Sequence, residues 1–188
     1  MLASGYFRGS SVLITGSAGT GKSIIAGAFA EAACLRKERT FYVSFDENPS
    51  EVVRNLSSVG IRLGPHLNSG VLRMHSARTE ASSAEVRLMK IKRIVREHQS
   101  RCMVVDPLSA IVKAGAALTA ERVAERLICL AKSGGITLVS TSLLQGGQPL
   151  TEETPVQIST IADTWVYLAN ISQAGRKILY SISVAAAF

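Results

Sequence analysis

Gly16-Ser17-Ala18-Gly19-Thr20-Gly21-Lys22-Ser23 is the stretch whose reading decides the fold of this chain. It spells the phosphate-binding pattern G-x-x-x-x-G-K-[ST] in full. Its flanks agree with it. Ser11-Val12-Leu13-Ile14-Thr15 leads in as a short apolar strand, and Ile24 to Leu35 is rich in Ala, Ile, Leu and Phe, without Pro, as a helix should be. Strand, glycine loop and helix are what phosphate chemistry needs. Glycines let backbone N–H groups turn toward phosphate oxygens, and the helix N-terminus adds partial positive charge. Lys22 can reach the β- and γ-phosphates, and Ser23 can ligate Mg²⁺.

Working outward, 188 residues suffice for one α/β domain with a core, and 47% apolar content argues against disorder. No run of about 18 apolar residues offers a membrane span. The start, Met1-Leu2-Ala3-Ser4-Gly5, lacks the charged-then-apolar pattern of a secretory signal. Cys34, Cys102 and Cys129 are few and scattered, which predicts buried thiols in a reducing cytoplasm rather than disulfides or a metal site. His66, His75 and His98 show no ligand spacing. The net charge of +7 suits an anionic nucleotide or a nucleic acid. Arg87, Lys90, Lys92, Arg93 and Arg96 crowd one predicted helix, where a solvated face explains them equally well. Aromatic residues are too sparse for a base-stacking platform, which argues against nucleic acid.

Strand and helix signals alternate along the chain, predicting a parallel sheet covered on both faces. Thr40 to Phe45 reads as a strand, then Pro49 to Val59 as a helix capped by Asn48. Val71 to His75 is a third, short strand. Ser82-Ser83-Ala84-Glu85 has capping-box spacing and opens a helix with Ala84, Leu88, Ile91 and Val95 on one face. Cys102 to Val105 is an unbroken apolar strand, Thr119 to Lys132 a helix stopped by Gly134-Gly135, and Ile136 to Ser140 a further strand. Gln145 to Gln157 reads as a mobile loop. Asp163 to Ala169 and Lys177 to Val184 read as an antiparallel hairpin turning near Ala174-Gly175.

Three further groups stand where chemistry is expected. Asp106 ends an apolar strand, where a carboxylate can hold Mg²⁺ or its waters opposite Ser23. Asp46-Glu47 ends another, and ligands of open α/β sheets gather at the carboxyl ends of strands. These carboxylates either orient and polarise a nucleophile beside the γ-phosphate or serve as acids at a helix start. Ser140-Thr141-Ser142 either senses phosphate or satisfies a turn. Ser159-Thr160 is, on composition alone, an ordinary pair of loop hydroxyls.

Four ordered pieces, GSAGTGKS, SFDE, VVDPLSA and QISTIADT, give the chain a more specific likeness. From Gly5 to about Gly175 it resembles the KaiC family of circadian-clock ATPases within the RecA-like P-loop group. The resemblance implies a RecA-like α/β fold: a mostly parallel twisted sheet flanked by helices, with a C-terminal antiparallel hairpin. It implies ATP and Mg²⁺ as ligands, a hexameric ring with nucleotide between neighbours, and clock or signalling proteins as partners. Asp46 and Glu47 fall on the family's two catalytic glutamates, the first shortened by one methylene. Asp106 falls on its metal-holding aspartate. Ser159 and Thr160 fall on the adjacent phosphoacceptors of the family's second domain, and Thr154 on a third regulatory threonine. The acceptor pair then serves the ATP of the adjacent subunit.

The family usually carries two such domains; residues 1–188 read as one, an expected piece of a longer chain. After the hairpin the family places Lys-x-Arg-Gly, where this chain has Ala185-Ala186-Ala187-Phe188, or Ile182-Ser183-Val184 in a shorter register. Without those cations, binding should survive better than turnover. The resulting reading is a cytoplasmic, self-associating domain that binds Mg·ATP on Gly16 to Ser23 and hydrolyses it slowly, with serine/threonine autophosphorylation as a second activity. A nucleic-acid-stimulated RecA-type ATPase and a non-catalytic, nucleotide-controlled assembly module are the alternatives.

Overall fold

The computed structural model describes residues 6–77, 83–110, 117–143, 162–173 and 176–185. Its first half runs β1 (Ser11–Gly16), α1 (Lys22–Leu35), β2 (Thr40–Ser44), α2 (Pro49–Ser57), α3 (Gly64–Asn68) and β3 (Leu72–Ser76). The second runs α4 (Ala84–His98), β4 (Cys102–Asp106), α5 (Ala117–Ser133), β5 (Thr137–Leu143), β6 (Thr164–Gln173) and β7 (Arg176–Ala185). The strands form one sheet in the order β3-β2-β4-β5-β1-β6-β7. Pairing is parallel from β3 through β6, and β7 returns antiparallel to β6. This is the RecA-like P-loop α/β architecture.

Alternation along the central strands creates two cores. Leu13, Phe41, Val43, Met103, Val105 and Leu138 pack with α4 and α5, burying Ile91, Val95, Leu127 and Ile128. Val12, Ile14, Tyr42, Val104 and Val139 face the other way, onto Ala26, Ala30 and Cys34 of α1 and Val52 and Leu56 of α2. Both faces are therefore dry, which is why these strands read as continuous apolar runs. Asp163 locks β6 beside β1: its Oδ2 accepts from the Ser11 amide at 2.8 Å and the Ser11 hydroxyl at 3.0 Å. Lys132 completes the clamp at 2.7 Å from Oδ1.

Several local readings shift. Asn48 caps α2, with its own amide donating to Glu51 at 2.9 Å. On α4 the cap is Ser83, whose hydroxyl accepts from the Val86 amide. The helix thus starts one residue later than the S-x-x-E spacing from Ser82 implies. β5 runs on to Leu143 because its hydroxyl-bearing residues are satisfied inside the sheet. The short α3 has no buried residue, so no apolar periodicity announces it. Cys34 and Cys102 are buried as expected, but Cys129 is exposed. It sits one residue past Ile128, on the solvent side of an amphipathic helix whose buried stripe carries Leu127 and Ile128. No described helix is long and apolar enough to cross a membrane.

Candidate functional site

Parallel pairing puts the carboxyl ends of β1, β2, β4 and β5 on one edge of the sheet. Gly16 pairs with Leu143 and Ser44 with Asp106 in the registers that end these strands. The glycine loop leaves β1 at this edge. A Cβ on Gly16 would lie 2.5 Å from the Leu168 carbonyl oxygen and 2.7 Å from Thr20 Oγ1, so no larger residue fits between loop and β6. Gly19 and Gly21 have φ of 77° and 82°, backbone that L side chains rarely adopt. Gly21 is also the N-cap of α1, and no side chain caps the first turn. The N-terminal amides of α1 are left for a ligand, at the positive end of the helix.

Lys22 is 92% buried and folds over the loop that carries it, with 8% of its surface exposed. Its Nζ donates to the carbonyls of Gly16 at 2.9 Å and Ser17 at 2.6 Å, and to Thr20 Oγ1 at 3.4 Å. Thr20 in turn donates to the Ser17 carbonyl at 2.9 Å. Burial lowers the Lys22 pKa from its ordinary value, and the Asp106 carboxylate opposes the shift. Asp106, two strands away at the end of β4, thus acts electrostatically on the loop lysine. Ser17, Ala18, Gly19 and Ser23 are exposed, so the outer loop and the Ser23 hydroxyl face solvent.

Asp106 is held from two sides. Tyr42 donates its hydroxyl to Oδ2 at 2.8 Å, and Thr141 donates to Oδ1 in a short hydrogen bond. Neither partner is evident from the sequence. Tyr42 lies in an apolar strand, and its fully buried phenol needs an acceptor. That need was the available signal. Burial first, then the charges of Asp106 and Glu47, raise the Tyr42 pKa well above its ordinary value, so it stays a donor. Thr141 belongs to the run read as phosphate sensors or turn hydroxyls. In the structure Ser140 donates to the Val12 carbonyl at 3.2 Å and Thr141 to Asp106, both inside the sheet.

Asp46 and Glu47 follow β2 at the same edge. Asp46 is exposed, and Glu47 is half-buried with its carboxylate accepting from Asn55 Nδ2 of α2 at 2.9 Å. The Glu47 amide donates to Ser44 Oγ at 3.1 Å. The acid in the first turn of α2 is Glu51, so a helix-start role is already filled by another residue. The structure therefore brings Gly16 to Ser23, Asp106, Asp46 and Glu47 to one strand edge. Ser159, Thr160 and Thr154 lie outside the described residues, as does the loop Gln145 to Gln157. Trp165 of β6 reports on the site from below: its indole donates at 2.7 Å to Thr15, the residue before the loop.

The donor set suits a nucleoside triphosphate with a divalent cation. A glycine cradle that a Cβ would fill, uncapped helix amides and a buried ammonium meet polyanion, while a solvent-facing hydroxyl and a tethered carboxylate are hard oxygen ligands. Among the described residues there is no cluster of three or more His, Cys, Asp or Glu side chains that could hold a metal unaided. Any cation here would share its shell with phosphate oxygens and water, as Mg²⁺ does.

Comparison with known proteins points to one ATPase family. The family model described as "ATPase: KaiC" matches residues 1–185. The circadian clock protein KaiC2 of Synechocystis sp. is 40% identical over 179 residues, covering 94% of this chain and 32% of that protein. The circadian clock oscillator protein KaiC of Parathermosynechococcus lividus is 32% identical over 178 residues, covering 93% and 32%. KaiC3 of Synechocystis sp. is 28% identical over 178 residues, covering 93% and 35%. The chain spans about a third of the length of these curated relatives.

Proposed function

The chain belongs to the KaiC family of ATPases, and from that membership we propose that it binds Mg·ATP on Gly16 to Ser23 and hydrolyses it. The observation that carries this reading is the buried Lys22 ammonium, held over the glycine loop within the field of Asp106. Phosphate oxygens exchange for the loop carbonyls that Lys22 now contacts. The loop amides and the N-terminus of α1 take the remaining charge. Ser23 and Asp106 would hold Mg²⁺, with Tyr42 and Thr141 fixing the carboxylate's orientation. When bound, Mg²⁺ would neutralise charge on the phosphates.

Glu47 is the general base and Asp46 its support. Glu47 takes the proton of an attacking water as its oxygen bonds to the γ-phosphorus and the bond to the ADP oxygen breaks. Asn55 keeps the carboxylate facing the edge of the sheet. A serine or threonine hydroxyl replaces water in autophosphorylation, and Ser159 and Thr160 of a neighbouring subunit are the proposed acceptors. That step requires a ring, so a hexamer, protein partners of the clock or signalling class and a cytoplasmic setting complete the proposal. The match to the KaiC family model and the likeness to circadian clock proteins support these finer elements.

Phosphate release from ATP, with phosphopeptide mapping of the same reaction, tests the assignment. Glu47→Gln is expected to retain ATP binding and lose about 100-fold or more in turnover, the scale of general-base catalysis. Unchanged release in that variant would remove Glu47 from the mechanism. Phosphate on residues other than Ser159 and Thr160 would relocate the acceptor.

A further inference from the structure

The opposite edge of the sheet carries a second cluster of donors. The residues that open β2 and β4 are stapled together there: the Arg101 amide donates to the Arg39 carbonyl at 2.8 Å, and Arg101 passes the pairing on to Thr137 at 3.0 Å. A cleft of about 530 Å³ lies over this staple, lined by Lys37, Glu38, Arg39, Gln99, Ser100 and Arg101. That volume is within the range of small-molecule sites, roughly 300–1,000 Å³. Arg39 is already oriented across it, donating to Gln99 Oε1 at 2.8 Å and to the His98 carbonyl at 3.4 Å.

The charge balance of the cleft is positive. Glu38 is taken by Arg8 at 2.7 Å and Arg36 at 3.0 Å, outside the cleft, leaving Lys37, Arg39 and Arg101. The C-termini of α1 and α4 also end here, each about half a negative charge at most. Three full cations outweigh them.

We propose that this cleft binds the phosphate group of a small molecule, held by Arg39 and Arg101 with Lys37 as a further donor. A phosphate dianion matches several cationic donors, whereas a carboxylate would leave two of the three cations unmatched. The site lies at the other end of β2 and β4 from Glu47 and Asp106. Five strand residues at about 3.3 Å each separate the two edges, so one ligand does not block the other. The proposal stands independently of the ATP reading.

The test uses the full chain carrying Lys22→Ala, which weakens the glycine loop as a competing phosphate site. Calorimetric titration with pyrophosphate should show binding in that background. Arg39→Gln or Arg101→Gln added to it should each weaken binding about tenfold or more, the scale of a lost hydrogen bond to a charged group. Glycerol 3-phosphate binding more tightly than inorganic phosphate would assign the site to phosphate esters; equal affinities would assign it to the free anion. Loss of all binding in Lys22→Ala alone, indifference to the arginine substitutions, or equal binding of acetate would each overturn the proposal.

Discussion

At the scale of residues, Lys22 and Asp106 show how a charged site is built before its ligand arrives. Lys22 loses hydration on burial and recovers part of it from three loop oxygens, while Asp106 favours its charge from a distance. Asp106 in turn depends on Thr141, which is fully buried. Thr141→Val keeps the shape and removes the donor, so it should cost about 1.5–3 kcal/mol, the worth of a hydrogen bond to a charged group. Thermal unfolding checks the loss, and Mg²⁺ titration in the presence of ATP should show a weakened cation dependence. The thiols give a second prediction. Burial and the neighbouring Glu38 carboxylate push Cys102 up to about 12, whereas Cys129 is exposed. Iodoacetamide near pH 8 should therefore alkylate Cys129 while the folded protein shields Cys34 and Cys102, as read by peptide mass spectrometry. The glycine loop, Lys22 and Asp106 were legible because their chemistry is written in residue type and spacing. Tyr42 and Thr141 were not, since their partner Asp106 comes from another strand. Cys129 misled because composition around a cysteine does not say which side of a helix it occupies.

At the scale of elements, the close packing of α1 on α2 rests on Gly27. A Cβ there would meet Leu56 Cδ1 and Cδ2 at 2.6 and 2.7 Å. Alanine favours helix by up to about 1 kcal/mol over glycine, but overpacking a core costs about 1–3 kcal/mol. Gly27→Ala should therefore destabilise, and the partner substitution Leu56→Ala should partly relieve it in a double-mutant cycle. The end of α4 carries a pH response. His98 Nε2 lies 3.1 Å from the Val71 carbonyl, yet burial first, and then Arg39 and Arg73, lower its pKa. The unfolded chain then takes up the proton at higher pH than the folded one, so stability falls as pH drops through about 6.5 toward the folded value. Tm should decline between about pH 7.5 and 5.5 more steeply in the natural chain than in His98→Gln. The order and type of the long elements were legible from apolar periodicity. The ends were less so: Ser83 replaced Ser82 as the α4 cap, and β5 outran its apolar part because its hydroxyls bond within the sheet.

At the scale of the molecule, strand order is what converts scattered residues into a site. Alternating strands and helices announce a parallel sheet, but they do not say that β5 inserts between β4 and β1 or that β6 closes onto β1. That order places Asp106 two strands from the glycine loop and Glu47 beyond it, all at one edge. It also sends Arg39 and Arg101 to the other edge. Assembly belongs to this scale: if nucleotide completes a site between subunits, sedimentation should show a larger species with Mg·ATP than without it, and a persistent monomer would remove transfer between neighbours. The account as a whole rests on a simpler point, that the loop from Gly16 to Ser23 holds ATP. Calorimetric titration of the full chain with Mg·ATP, beside the Lys22→Ala variant, measures it directly. Saturable binding weakened about 10- to 100-fold by the substitution is the predicted result. Equal affinity in the two proteins, or no binding in either, would contradict it.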